Sequence, residues 1–154
     1  MIAVRTETDI FAPIEICFDM ARDIGLHPLT VWRHTKEKAI DGMTSGPIGP
    51  GQTVTFEATH FLIRQTLSSQ VIEFHRPFIF VDEMLQGAFK SLKHIHEFTY
   101  DQEQGKTIMV DTLQFEAPYG WIGWVVERLV LCHYMKRFLE DRNLELKRMI
   151  EKSI

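Results

Sequence analysis

The stretch Phe78-Ile-Phe-Val-Asp-Glu-Met-Leu-Gln-Gly-Ala-Phe-Lys-Ser-Leu-Lys-His-Ile-His-Glu-Phe98 decides the fold. It reads as two strands joined at Gln86-Gly87. Each strand alternates, so each has one face for a core and one for something else. On the second, Leu92, His94, His96 and Phe98 share a face, against Lys93, Ile95, Glu97 and Thr99. Lys and Glu are rarely buried unpaired, so the second set faces water and the two histidines turn inward. On the first strand, Phe78, Phe80, Asp82 and Met84 oppose Ile79, Val81, Glu83 and Leu85. Glu83 prefers solvent, which places the Phe/Asp/Met face inside.

Toward the C-terminus, Asp101-Gln-Glu-Gln-Gly105 closes the next hairpin, and Lys106 to Phe115 returns as a strand. Gly105 is available for a left-handed position. The turn alone does not set the register, because a bulge at Gly105 would flip the pairing. Met109, Asp111, Leu113 and Phe115 form the bulkier face and are expected inside. Ala117-Pro-Tyr-Gly120 breaks this strand. From Trp121 to about Lys152 the pattern is one long helix, with Trp121, Val125, Cys132, Met135, Leu139, Leu146 and Met149 along a stripe. At 1.5 Å per residue it would be a rod of about 45 Å, enough to cross a sheet.

Toward the N-terminus, Ile2, Val4, Thr6, Thr8 and Ile10 alternate with charged residues, as in a half-buried strand. Pro13 suits a first helical turn, and Ile14, Cys17, Phe18 and Ala21 follow helical spacing. Leu26 to Trp32 reads as a second short helix, and Lys36 to Ile40 as a short strand. Thr44 to Gly51 is a Gly/Pro-rich loop. Val54, Phe56, Ala58, His60 and Leu62 then form an apolar face that carries a third histidine. Arg64 to Phe74 is a more polar strand of unassigned face. Strands in succession followed by a helix argue for an α+β domain.

The composition is that of an ordinary globular domain, with 45% hydrophobic and 25% charged residues in 154. One domain, residues 1–154, is expected. A net charge of −4 argues against nucleic acid as a partner. Cys17 and Cys132 lack metal or redox spacing and read as free thiols of a cytoplasmic protein. The N-terminus is strand-like, without signal-peptide character, and no apolar run reaches the length of a bilayer span, so stable membrane insertion is not expected.

Several local patterns resemble the helix-grip superfamily called SRPBCC. It contains START lipid-transfer domains, birch-pollen-allergen-type proteins, polyketide cyclases and coenzyme-Q-binding proteins. The residues that carry the resemblance begin with Thr8-Asp-Ile-Phe-Ala-Pro13 running into Glu15-x-x-Phe18. Phe80-x-Asp82, Gly87-x-Phe89 and His94-x-His96-x-Phe98 follow. Asp111 with Ala117-Pro118, and Phe138-x-x-x-Arg142, complete the set. The resemblance covers essentially the whole chain. It implies a curved antiparallel sheet of about six to seven strands around a long C-terminal helix, with two short helices after the first strand. It also implies a cavity between sheet and helix for an apolar or amphipathic ligand.

The candidate site is His60, Phe80, Asp82, Met84, His94, His96, Phe98, Asp111, Phe115 and Arg142. Large apolar side chains with a few placed polar groups are the composition of a ligand pocket. Four roles compete for the polar members. They could anchor a ligand, satisfy one another as buried Asp–His pairs, hold a metal with His94, His96 and either His60 or a carboxylate, or perform acid–base chemistry. Ligand anchoring is the expectation, with a small hydrophobic ligand as the partner. No cofactor, metal or catalytic residue is expected, and a homodimer is compatible with the sequence. The alternative is a cyclase/dehydrase-type enzyme using His94 or His96 with Asp82 or Asp111. Arg142 is expected as a solvated helix residue, unless its face turns inward to meet an acid. Trp32 is expected to plug the sheet end, against a sharper reading, implied by the resemblance, in which Trp32, His27 and His34 form a gate at the cavity mouth. Trp121 and Trp124 are expected to pack the helix on the sheet, against a sharper reading of them as a membrane-facing lip.

Overall fold

The computed structural model describes residues 1–154. The strands are β1 (Ile2–Ile10), β2 (Lys38–Gly42), β3 (Thr53–His60), β4 (Ile63–His75), β5 (Ile79–Gln86), β6 (Ser91–Asp101) and β7 (Lys106–Glu116). Helices α1 (Ile14–Ala21) and α2 (His27–Thr30), followed by a 3-10 turn over Arg33–Thr35, join β1 to β2. The C-terminal helix runs as α3 (Gly120–Val126), a π turn (Glu127–Leu131) and α4 (Cys132–Lys152).

The seven strands form one antiparallel sheet in the order β1-β7-β6-β5-β4-β3-β2. Consecutive strands β2 to β7 are neighbours, and only β1 crosses to the far edge to pair with β7. The helices between β1 and β2 span that crossing. The expected curved sheet holding a long C-terminal helix is therefore the observed architecture. The β6–β7 hairpin keeps Asp101 opposite Lys106 without a bulge, and Gly105 takes φ +65°. That register puts Met109, Asp111, Leu113 and Phe115 inside.

The interior is layered along α4. Phe18 of α1 centres one apolar cluster, edge-on to Phe74, Phe80 and Phe98 at 5.2–5.4 Å. Leu146 and Ile150 of α4 belong to this cluster. A second cluster joins Val4, Leu92, Leu113, Phe115 and Leu139. Arg142 and Asn143 lie between Leu139 and Leu146 in α4, one helical turn from each, and both are buried. Opposite them the sheet presents a polar layer. Thr6, Asp111, His96 and Phe80 are successive cross-strand partners, and so are Leu113, His94 and Asp82.

Several expectations fail locally. The β5–β6 connection is a four-residue segment, Gly87 to Lys90, in place of a tight turn at Gln86-Gly87. Phe78 is exposed, because it lies in the turn after the cis Arg76–Pro77 bond and before β5 begins. Leu62 is 98% exposed, because β3 ends at His60 and Leu62 sits in the β3–β4 turn. Arg142 is 4% exposed, so of its two readings the inward-facing one is the observed orientation.

The helical stripe also breaks. Trp121 is 77% exposed, and Trp124 and Val125 are exposed too, so they do not pack the helix on the sheet. The wider π turn changes the rotational phase, so a stripe drawn at 3.6 residues per turn does not continue across it. The α3 segment is held instead by its small and acidic residues. Gly123 packs where a Cβ would lie 2.0 Å from the Pro118 carbonyl oxygen. The buried Glu127 carboxylate accepts a 2.6 Å hydrogen bond from the Ala117 amide. Cys17 is buried and Cys132 half-buried, both as free thiols. No helix is long and apolar enough to cross a membrane.

Candidate functional site

A cavity of about 330 Å³ lies between the sheet and α4. Its apolar wall includes Phe56, Leu67 and Val71 from β3 and β4, Leu92 and Leu113 from β6 and β7, and Phe138 and Leu139 from α4. β4, whose inward face the sequence leaves unassigned, turns Gln65, Leu67, Ser69 and Val71 toward it. The bulge between Val71 and Glu73 then lets Phe74 join the Phe18 cluster.

Of the ten predicted residues, His60, Phe80, Asp82, His94, His96 and Arg142 line this cavity. The other four do not. Phe98 belongs to the apolar cluster around Phe18, and Phe115 to the one around Leu113. Met84 packs beside that second cluster. Asp111 is fully buried behind the histidines. Alternation identifies the inward face of a strand, but depth along that face decides between core and cavity.

The polar end of the cavity is one connected group. His94 Nε2 donates to Asp111 Oδ1 at 3.0 Å, and His96 Nε2 donates to Asp82 Oδ2 at 3.0 Å. His96 Nδ1 lies 2.7 Å from Asp111 Oδ1, as a close contact of charges without hydrogen-bond alignment. Asp111 Oδ2 accepts from Asn143 Nδ2 at 2.7 Å, and the same amide donates to Thr6 Oγ1 at 3.0 Å. The His96 ring stacks on Phe80, with centroids 4.1 Å apart, and lies tilted by 30° against His94, at 3.7 Å. Arg142 Nη1 makes one long bond, 3.5 Å, to Asn143 Oδ1, and its Nε has no partner.

These contacts set the charges. Burial pulls the His94 pKa down to about 4, and the adjacent His96 cation adds to that, outweighing Asp111. His94 is therefore neutral at physiological pH, with its proton on Nε2 and Nδ1 left as a bare acceptor. Burial also opposes charging of His96, but the Asp111 charge and its contacts with Asp111 and Asp82 raise its pKa. Burial would raise both carboxyls, yet the two histidines hold Asp111 well below the usual range and Asp82 below it. The layer thus sets two carboxylates around His96, whose protonated form they favour, with the Arg142 guanidinium alongside.

The cavity mouth has its own polar pairs. His60 Nδ1 lies 2.7 Å from the Tyr134 hydroxyl, and His27 Nδ1 lies 2.7 Å from Glu37 Oε2, with His27 stacked on Phe56 at 4.6 Å. Phe61 packs on Tyr134 with ring centroids 4.4 Å apart. Trp32 does not line the cavity. Its Nε1 donates to Asp141 Oδ2 at 3.0 Å, and its ring meets Tyr134 and Phe138 edge-on, pinning the α2 region to α4. His34 is exposed and stacks on Trp32.

Sequence reasoning missed Glu37, Tyr134 and Asn143, while His27, read from the sequence as a residue that could gate the cavity mouth, does line the cavity. Two of them leave a trace. Tyr134, Phe138 and Arg142 recur every four residues and so share a helix face. Asn143 is a weak helix former in the middle of a long helix, which suggests a buried partner for its amide. His27 and Glu37 meet only through the packing of the α2 segment.

No protein-family profile matches the chain. No curated protein matches it either. Solved structures do. A Thermus thermophilus protein, TTHA0849, superposes with a TM-score of 0.79 at 16% identity, covering 98% of each chain. Protein CV1439 from Chromobacterium violaceum gives 0.74 at 8% identity, over 98% of this chain and 99% of that one. Major latex-like protein 151 from Panax ginseng gives 0.69 at 10% identity, over 96% and 95%. At such identities the likeness is one of fold, and the fold is the helix-grip fold.

Proposed function

We propose that this chain is a single ligand-binding domain that holds a small apolar or amphipathic molecule between the sheet and α4. The observation that carries this reading is the cavity itself, a largely apolar chamber with the Asp82, His94, His96 and Arg142 group on its wall. Its volume falls in the lower part of the range of small-molecule sites. The ligand body would lie along Phe56, Leu67, Leu92, Leu113 and Phe138. Its polar end would meet the bare Nδ1 of His94 as a hydrogen-bond donor and Arg142 as an acceptor. An isoprenoid, a short fatty acid or an aromatic polyketide-like compound has that shape and polarity. Binding, as opposed to catalysis, is favoured by His94, whose pKa of about 4 makes it a weak base at neutral pH.

Displacement of a fluorescent apolar probe by a panel of fatty acids and polyphenols tests the reading. Leu67→Trp fills the cavity from a half-buried wall position and is expected to abolish probe binding while the melting temperature stays near wild type. His94→Ala is expected to weaken binding of hydroxyl-bearing ligands in a folded protein. A wild-type protein that binds neither the probe nor the panel would overturn the proposal.

A further inference from the structure

We propose that Asp82, His94 and His96 form a binding site for one divalent transition-metal ion of the Zn²⁺ or Fe²⁺ type, opening onto the cavity. Each of the three brings a ligand atom within 4.8 Å of the other two. The sheet register produces this grouping. Asp82 on β5 is the direct cross-strand partner of His94 on β6, and His96 projects from the same face two residues on. Two imidazoles and one carboxylate with an open side suit zinc or non-haem iron.

The surroundings resemble the outer shell of a metal centre. Metal-bound histidines usually give their second nitrogen to a carboxylate or carbonyl, which fixes the ring. Here a single carboxylate, Asp111, faces Nε2 of His94 at 3.0 Å and Nδ1 of His96 at 2.7 Å. Nδ1 of His94 and Nε2 of His96 are the nitrogens left for an ion. Asp111 is itself held by Asn143 Nδ2 at 2.7 Å, so the support is anchored to α4. A self-satisfied ion pair needs only His96 between its two carboxylates. It uses Nε2 of His94 as a donor to Asp111, but leaves Nδ1 of that histidine uncommitted on the cavity wall.

The charge balance agrees. An ion at Nε2 of His96 replaces the proton now shared with Asp82, and its two positive charges match the Asp82 and Asp111 carboxylates. Arg142 then remains as an extra positive charge beside the open coordination position. An anionic oxygen on the cavity ligand, such as a carboxylate or enolate, would complete both. Donors around a tetrahedral ion stand about 3.3 Å apart at metal–nitrogen distances of about 2.0 Å, so the widest of the donor separations, within 4.8 Å here, closes by up to about 1.5 Å on binding.

The test uses tag-free, chelator-stripped protein loaded with Zn²⁺ or Co²⁺. Metal content after gel filtration, titration calorimetry and the visible Co²⁺ spectrum are the readouts. One ion per chain is expected, with Co²⁺ bands that report nitrogen ligation. His94→Ala and Asp82→Ala are expected to lose stoichiometric binding, and His60→Ala, outside the site, to keep it. Asp111→Asn is expected to weaken binding by about 10- to 100-fold. Circular dichroism checks that each variant is folded, and if Asp111→Asn is not, the two ligand variants still decide the question. Wild-type protein that stays metal-free, or undiminished binding by both ligand variants, overturns the site. Probe binding by the stripped protein is read separately, so loss of this proposal leaves the ligand-binding one standing.

Discussion

Asn143 on α4 donates a 2.7 Å hydrogen bond to Asp111 on β7, and this bond joins helix to sheet at the buried end of the cavity. Both residues are essentially without solvent access. The same amide reaches Thr6 on β1, so one side chain satisfies acceptors on two neighbouring strands. Asn143→Ala is expected to destabilise the fold by about 2–4 kcal/mol, because a buried carboxylate loses a donor and a small void opens. Equilibrium urea denaturation measures this. A loss under about 0.5 kcal/mol, the size typical of a surface substitution, would refute it.

Arg142 separates stability from binding. It is buried, makes a single long hydrogen bond and leaves Nε unpartnered. Arg142→Met keeps most of the volume and removes a cation that supports the Asp82 carboxylate without pairing to it directly, so the melting temperature should fall by no more than a few degrees. Affinity for a carboxylate-bearing apolar ligand should fall about 10- to 100-fold, the worth of a charge-assisted hydrogen bond. Equal affinity of the variant for acidic and neutral ligands, beside a wild-type preference for the acid, would support the assignment. A large drop in melting temperature would count against it.

His60 supplies a pH signature. Burial lowers its pKa, with exposed His34 adding and Glu37 opposing, and its ring meets the Tyr134 hydroxyl. Its folded value is depressed, so the unfolded chain binds the proton more readily. Its contribution to stability is therefore intact above about pH 6.5 and is lost as pH falls below that toward the folded value. Replacing His60 with Gln should make stability fall less steeply between about pH 6.5 and 5 than in wild type. Parallel denaturation midpoints for the two proteins across that range would rule this out.

The β3–β4 turn carries strain at the cavity mouth. Phe61 and Leu62 sit at φ +52° and +65°, and His60 pairs with Ile63 across them. Two-residue hairpins of this kind favour Asn-Gly, and left-handed backbone costs about 1–2 kcal/mol at other residues. Substituting Asn-Gly for Phe61-Leu62 should raise the melting temperature by a few degrees. It also removes the Phe61 ring from Tyr134, so a bound probe should leave faster. Stopped-flow release and a thermal scan together check both halves.

Strand alternation was readable from the chain because one face of each strand meets an apolar interior and the other meets water. With the solvent preference of Lys93 and Glu97, that rule turned His94 and His96 inward; for Asp82 and Asp111 it offered two faces, and only Glu83 and side-chain bulk favoured the inward one, because a bulge at Gly105 would have flipped the register. It could not tell His94 on the cavity wall from Asp111 behind it, since both share the inward face. Nor could helical spacing tell Leu139, which is buried, from Trp121, which is exposed. The two lie on opposite sides of a π turn that the sequence does not announce.

By itself, then, the sequence determined the order of strands and helices, the inward faces of the strands with clear alternation and the presence of buried polar groups among aromatic side chains. Periodicity and solvent preference are local properties, and they are written in the order of residues. The tertiary structure decided which of those polar groups touch. Asp82 meets His96, and Asp111 meets both histidines and Asn143, through side chains 14 to 32 residues apart in the chain. Those contacts depend on sheet register and on the rotation of α4 over the sheet, which only the packed whole fixes.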